Sequence, residues 1–135
     1  AFASVIGLTS TVAAAKGDLT RRPIKLPDLV LGTEENRFFM SQKEYNLETG
    51  KSYKLKIISS GQTEYALEAS DFFASIYLRK VEAGNMEIKA VSLTELEFEQ
   101  ESEAEIYFVP IKPGKFEFEL EGLEEKGMEG VFNVK

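Results

Sequence analysis

Residues 108–120 read Phe108-Val-Pro-Ile-Lys-Pro-Gly-Lys-Phe-Glu-Phe-Glu-Leu120, and this stretch decides the fold class. Phe116, Phe118 and Leu120 alternate with Glu117 and Glu119. Successive side chains of a strand point to opposite faces, so this alternation predicts a half-buried β-strand with its phenylalanines turned inward. Lys112-Pro113-Gly114 supplies the turn that starts it. On the other side of that turn, Ile106 and Phe108 alternate with Glu105 and Tyr107 up to Pro110, a second strand of the same kind.

The pattern continues outward in both directions. Tyr53, Leu55 and Ile57 alternate with Lys54 and Lys56 between the turn residues Glu48-Thr49-Gly50 and Ser59-Ser60-Gly61. Leu96 and Phe98 alternate with Glu95, Glu97 and Glu99, and Val131 to Val134 forms a last strand after Gly130. Short strands at regular intervals, with no long helical pattern between them, predict an all-β antiparallel sandwich or barrel. The one predicted helical turn is Ser70 to Ile76, with Ser70 and Asp71 offering caps and Phe72, Phe73 and Ile76 forming its apolar face. The sandwich occupies residues 29–135.

The composition suits one domain with one core: 135 residues, 43% of them hydrophobic and 29% charged. There is no Cys and no His. This excludes disulfides, thiolate nucleophiles, Ser-His and Cys-His catalytic pairs, Fe–S clusters and thiolate- or imidazole-ligated metals. No nucleophile and base pair and no phosphate-cradling glycine loop can be drawn from the remaining residues, so no enzyme is expected. With 23 acidic against 16 basic residues the formal charge is -7, which argues against nucleic acid as a partner.

Two clusters of residue types invite a metal reading. Glu95, Glu97, Glu99, Glu101, Glu103 and Glu105 hold alternate positions. They read as a solvated, edge-protecting outer face, with hard-cation binding as the alternative. No EF-hand loop is present, and a flat strand face lacks the cleft that glycosidase chemistry needs. Met40, Met86 and Met128 could form a soft thioether site for Cu(I), but they read more simply as core or surface fillers.

Ala1 to Ala15 differs from the rest: AFASVIGLTSTVAAA carries no charge and is followed at once by Lys16, Gly17 and Asp18. Three readings stand: a signal remnant, an N-terminal membrane anchor, or a small-residue helix packed on a partner. A retained, helical anchor or docked segment is the expectation. Residues 16–28, with Pro23 and Pro27 among Lys16, Arg21, Arg22 and Lys25, read as an extended basic linker. An exported chain should keep positive charge on the cytoplasmic side, so these cations are expected to meet lipid headgroups or an acidic partner instead.

The stretch from Pro113 to Gly130 resembles the cupredoxins. Their last two strands carry Pro-Gly-x-aromatic-x-aromatic-x-Cys, followed by a loop with a His and a Met before a Gly. Pro113-Gly114, Phe116, Phe118, Leu120, Leu123, Met128 and Gly130 match that spacing without a gap. Leu47-Glu-Thr-Gly50-Lys-Ser-Tyr53-Lys-Leu55 resembles the family's Leu-x-x-Gly-x-x-Tyr-x-Leu strand start. Glu64-Tyr-Ala-Leu-Glu-Ala-Ser-Asp-Phe-Phe73 resembles the segment that carries its first ligand His. The resemblance implies a Greek-key β-sandwich in which Leu120 stands where the copper-binding Cys would be. Leu123 stands at the second His, Tyr65 at the first, and only Met128 is retained. A thioether alone cannot hold a type 1 copper, so the implied domain has no cofactor.

Three functions follow as expectations. The first is a non-catalytic accessory subunit on the periplasmic side of a membrane protein complex, photosynthetic or respiratory, tethered by the N-terminal segment. Phe72, Phe73, Leu120, Leu123 and Met128 are then candidate contact residues. The second is a periplasmic metal-handling protein using Met128 and carboxylates such as Glu64 or Glu68. The third, an enzyme or a free-standing electron carrier, has no group to serve as its reactive centre.

Overall fold

The structure is a computed structural model that describes residues 22–135. The helical anchor expected at 1–15, and residues 16–21 of the expected linker, lie outside the described residues. Two sheets face each other. The first is built from β1 (Ile24–Lys25), β2 (Leu29–Leu31), β4 (Tyr53–Ser59), β6 (Ile76–Ala83), β7 (Met86–Ile88) and β9 (Ser102–Pro110). Its order is β1-β4-β9-β6-β7, with β2 also pairing β4. The second holds β3 (Glu44–Leu47), β5 (Tyr65–Glu68), β8 (Glu95–Phe98), β10 (Gly114–Leu120) and β11 (Glu129–Val134), ordered β3-β11-β10-β5-β8. A single helical turn α1 (Ser70–Phe73) joins β5 to β6, and a 3-10 turn spans Glu124–Lys126. This is the expected all-β, cupredoxin-like sandwich.

The alternation does what it predicts. Tyr53, Leu55 and Ile57 of β4, Ile106 and Phe108 of β9, and Phe116, Phe118 and Leu120 of β10 are all buried between the sheets. Burying one such side chain contributes about 1.5–3 kcal/mol, and this layer of aromatic and aliphatic residues is the principal source of cohesion. Phe72 of α1 plugs one end of it, stacked on Phe132 at 3.9 Å between ring centroids and 13° between planes.

Three readings are corrected. Residues 22–28 are not a free linker. Ile24–Lys25 pairs in parallel with Tyr53–Lys54, Leu26 is buried, and Tyr45 Oη donates to Pro27 O at 2.8 Å. The chain is extended there as the prolines require, but Pro27, lacking an N–H, only interrupts an edge strand that resumes as β2 against Ile57–Ser59. The helical turn stops at Phe73. Ala69, not Ser70 or Asp71, is its N-cap, with no side-chain cap bond, and Ile76 already belongs to β6. Finally, the run of alternate glutamates is not one face: Glu95 and Glu97 lie on β8 of one sheet, Glu103 and Glu105 on β9 of the other.

β6 escapes a period-two reading for a physical reason. Its register against β9 shifts between Leu78 and Lys80, so the inward positions run Ile76, Leu78, Val81. One extra residue, Arg79, changes the phase of the strand.

Candidate functional site

β10 delivers Leu120 to the core and the following loop returns to it. Leu120 N–H donates to Met128 O at 3.0 Å, Leu123 N–H to Leu120 O at 2.9 Å, and Met128 N–H to Leu123 O at 3.3 Å. Leu120 and Met128 are buried, and Leu123, half-buried, packs against the core that contains them. Gly127, at φ +87°, closes the 3-10 turn in the left-handed region, where a Cβ is disfavoured. Backbone bonds thus gather three of the four matched positions into one loop.

Tyr65 joins from the neighbouring strand. Leu67 pairs with Leu120, and Tyr65 lies two residues before Leu67 on the same inward face. Its phenol is committed elsewhere: Tyr65 Oη donates to Arg37 O at 2.7 Å. A Cβ at Gly32, where φ is +78°, would overlap that hydroxyl. Phe38 packs on the core beside Arg37, and Lys126 Nζ lies 5.4 Å from the centre of its ring. Gly32, Arg37, Phe38 and Lys126 therefore complete this end of the sandwich. Gly32, Arg37 and Phe38 carry no pattern by which sequence alone could select them, because the loop after β2 reaches the site only through the fold, whereas Lys126 sits in the matched loop itself.

Copper does not fit here. A type 1 site needs a thiolate and two imidazoles, and these positions offer two aliphatic side chains, a hydrogen-bonded phenol and one buried thioether. The methionines do not assemble as a set either: Met128 is fully buried, whereas Met86 is exposed on edge strand β7 of the other sheet.

The five candidate contact residues are also not a surface. Phe72, Phe73, Leu120 and Met128 are buried, which leaves Leu123 alone partly accessible. Nor do they form one group. Phe72 lies among Phe108, Phe116 and Phe132, toward the opposite end of β10 from Leu120. The apolar spacing that suggested a patch is the spacing of core residues.

The outer face of the second sheet is densely acidic. Register places Glu129, Glu119, Glu68 and Glu95 in one row across β11, β10, β5 and β8. Partial desolvation, then repulsion from Glu121, Glu95, Glu119 and Glu124, pushes the Glu68 carboxyl above its ordinary range. Desolvation, then Glu124 and Glu129, does the same to Glu119. Glu97 is raised by a shared hydrogen bond with Glu64 and by that neighbour's charge. Two triplets, Glu64/Glu97/Glu99 and Glu68/Glu95/Glu121, each bring carboxylate oxygens within 4.8 Å of one another.

Fold and loop together define a cupredoxin-like domain that lacks the copper ligands. No family model matches the chain, and no curated protein matches it. Among solved structures it is similar to the McoA multicopper oxidase of Aquifex aeolicus, with a TM-score of 0.63, 11% identity, and coverage of 83% of this chain and 29% of that one. It is also similar to a multicopper oxidase from Campylobacter jejuni, with a TM-score of 0.58, 12% identity, and coverage of 85% and 31%. The copper nitrite reductase of Nitrosomonas europaea gives 0.52, 11%, 70% and 33%. The chain spans about a third of the length of each of these enzymes, and the likeness is one of fold.

Proposed function

We propose that this protein is a non-catalytic, copper-free cupredoxin-like accessory subunit held on the periplasmic side of a membrane protein complex, of the photosynthetic or respiratory kind. One observation carries the reading: the loop that in a cupredoxin presents copper ligands is here kept in spacing and pinned by backbone hydrogen bonds, yet filled with Leu120, Leu123 and Met128 as packing. A sandwich retained without its reactive centre serves as a scaffold, and fold by itself assigns no chemistry. The uncharged stretch 1–15 supports a tether to the membrane. Deleting residues 1–15 should release the domain from the membrane fraction and from its co-purifying subunits. Unchanged co-purification of the truncated protein would sink the reading.

A second reading, periplasmic metal handling, is favoured by the two carboxylate triplets, which offer oxygen ligands of the sort hard cations take. Calorimetry of the full chain with ferric, cupric and cuprous ions tests it. Stoichiometric ferric binding that is weakened by Glu64→Gln or Glu68→Gln supports it, and absence of heat with all three ions removes it.

A further inference from the structure

The sandwich is electrically two-sided. Glutamates crowd the outer face of the second sheet, while cations and exposed apolar side chains meet at one end of the first. Register locates that end. Ile24 N–H donates to Ser52 O at 2.8 Å, Tyr53 pairs with Phe108, and Val109 pairs with Tyr77. Arg22 and Pro23 therefore reach β1 from the edge defined by Ser52, Val109 and Tyr77. Ile111 leaves β9 at the same edge, its N–H bound to Ser75 O at 3.0 Å. Tyr77, Arg79, Lys89 and Val91 line a shared open groove of about 460 Å³.

The side chains here are unlike the rest of the surface. Val91 is 100% exposed, Ile111 63% and Tyr77 50%. Among the described residues Arg22 and Lys112 make no ion pair, and Arg79 has only the Tyr107 ring, 6.0 Å away. The carboxylates of Glu48 and Glu87 are already engaged, by Lys51 at 2.8 Å and by Lys80 at 2.8 Å. A protein of net charge -7 thus presents, at the end to which its uncharged N-terminal stretch is joined, cations that no carboxylate among the described residues pairs. Residues 16–21 span at most about 20 Å when extended, so whatever holds residues 1–15 also holds this end close. Aromatic and aliphatic side chains interspersed with Arg and Lys suit the boundary between lipid headgroups and acyl chains, where the rings partition and the cations meet phosphate.

We propose that this end of the first sheet, presenting Tyr77, Val91 and Ile111 among Arg22, Arg79 and Lys112, seats on the anionic phospholipid surface of a bilayer, with the glutamate face of the second sheet turned to water. The proposal rests on the membrane tether of the reading above and adds an orientation to it. Segregation of charge is what permits it, since a uniformly acidic domain would be repelled by the same surface.

The absence of Cys allows single labels on the full-length chain. Nitroxides would be placed at Val91→Cys and Ile111→Cys, and for comparison at Glu97→Cys and Glu117→Cys. Their collision with a water-soluble paramagnetic relaxant is then measured in solution, on phosphatidylcholine vesicles, and on phosphatidylcholine vesicles containing phosphatidylglycerol. The expected result is several-fold protection of positions 91 and 111 on the anionic vesicles only, with 97 and 117 unchanged. Adding Arg79→Glu and Lys112→Glu should abolish that protection while the chain stays bound through its N-terminal segment. A chain that binds but leaves 91 and 111 accessible overturns the orientation and leaves the tether standing. Equal protection on neutral vesicles, or protection of 97 and 117, also overturns it. Failure to bind any vesicle removes orientation and lipid tether together. Protection seen only in native membrane extracts assigns this end to a protein partner instead.

Discussion

Tyr65 Oη donates a 2.7 Å hydrogen bond to the carbonyl of Arg37, twenty-eight residues earlier in the chain, and so ties the loop after β2 to strand β5. The phenol belongs to a fully buried side chain, and it passes beneath Gly32, whose missing Cβ leaves the space it needs. Tyr65 is thus a structural clasp between two segments distant in the chain.

Removing the hydroxyl leaves the Arg37 carbonyl without that donor while the ring still fills its place. Tyr65→Phe is expected to cost about 1 kcal/mol of stability. Gly32→Ala should cost more, at least about 2 kcal/mol, because it adds a left-handed backbone strain to the overlap with Tyr65. Chemical denaturation of the two variants checks both values. A negligible loss in Tyr65→Phe would show that the clasp is not made in solution.

Placing cupredoxin ligand types at the positions of matching spacing should create a metal site. Tyr65→His, Leu120→Cys and Leu123→His, combined with the native Met128, are expected to bind one Cu(II) and turn blue through thiolate charge transfer, while the unmodified chain stays colourless. Optical titration with Cu(II) reads the outcome. A colourless triple variant that retains its far-ultraviolet circular dichroism would mean that the loop no longer holds the ligand geometry.

The stacked pair Phe72 and Phe132 predicts how much the helical turn matters. Phe72 is fully buried and also meets Phe108 and Phe116 edge-on. Phe72→Ala should destabilise by about 3–5 kcal/mol, since it opens a cavity that aromatic neighbours fixed on strands cannot refill. Phe72→Leu should cost markedly less. Urea unfolding of both variants tests the order.

The glutamate rows predict an unusual response to pH and salt. The carboxyls of Glu68, Glu97 and Glu119 are raised in the folded state. Folding therefore binds protons at these groups, and the stability they contribute is full below the unfolded carboxyl range and lost as pH rises through their folded values. Glu82 and Glu87, lowered by hydrogen bonds to Lys80, act in the opposite sense: their contribution is lost as pH falls through their folded values. Glu68→Gln and Glu97→Gln should raise the melting temperature at about pH 7 and lose that advantage near about pH 4. Added salt should stabilise the native protein more than either variant, because it screens the same repulsion. Thermal melts across pH and ionic strength decide it, and variants that melt lower than the parent at neutral pH would contradict the assignment.

Legibility followed periodicity. Strands β4, β9 and β10 are readable because each buries one face only, so residues such as Phe116, Phe118 and Leu120 alternate with charge. β6 is less readable because Arg79 breaks its phase. β1 and β2 lack a usable period because Pro27 interrupts a short edge strand. The candidate site divides in the same way. The spacing Leu120, Leu123, Met128 is local and visible in the chain, and the loop closes as that spacing implies. The Tyr65–Arg37 clasp joins distant segments and leaves no periodic trace.

The sequence by itself determined the fold class, through alternation, and the lack of the blue-copper ligand types, through its want of Cys and His. Those depend on residue identity and on the two-residue period of a strand, both of which are local. Only the tertiary structure decided which apolar residues are available to a partner. Phe72, Phe73 and Met128 look like surface candidates in the chain but are core in the fold, whereas Tyr77, Val91 and Ile111, from three separate segments, are exposed at the same end of the first sheet. It also divided the glutamate run between two sheets and set Glu129, Glu119, Glu68 and Glu95 side by side. Burial and the spacing of charges depend on cross-strand pairing between distant residues, and pairing is a property of the folded chain rather than of any one stretch of it.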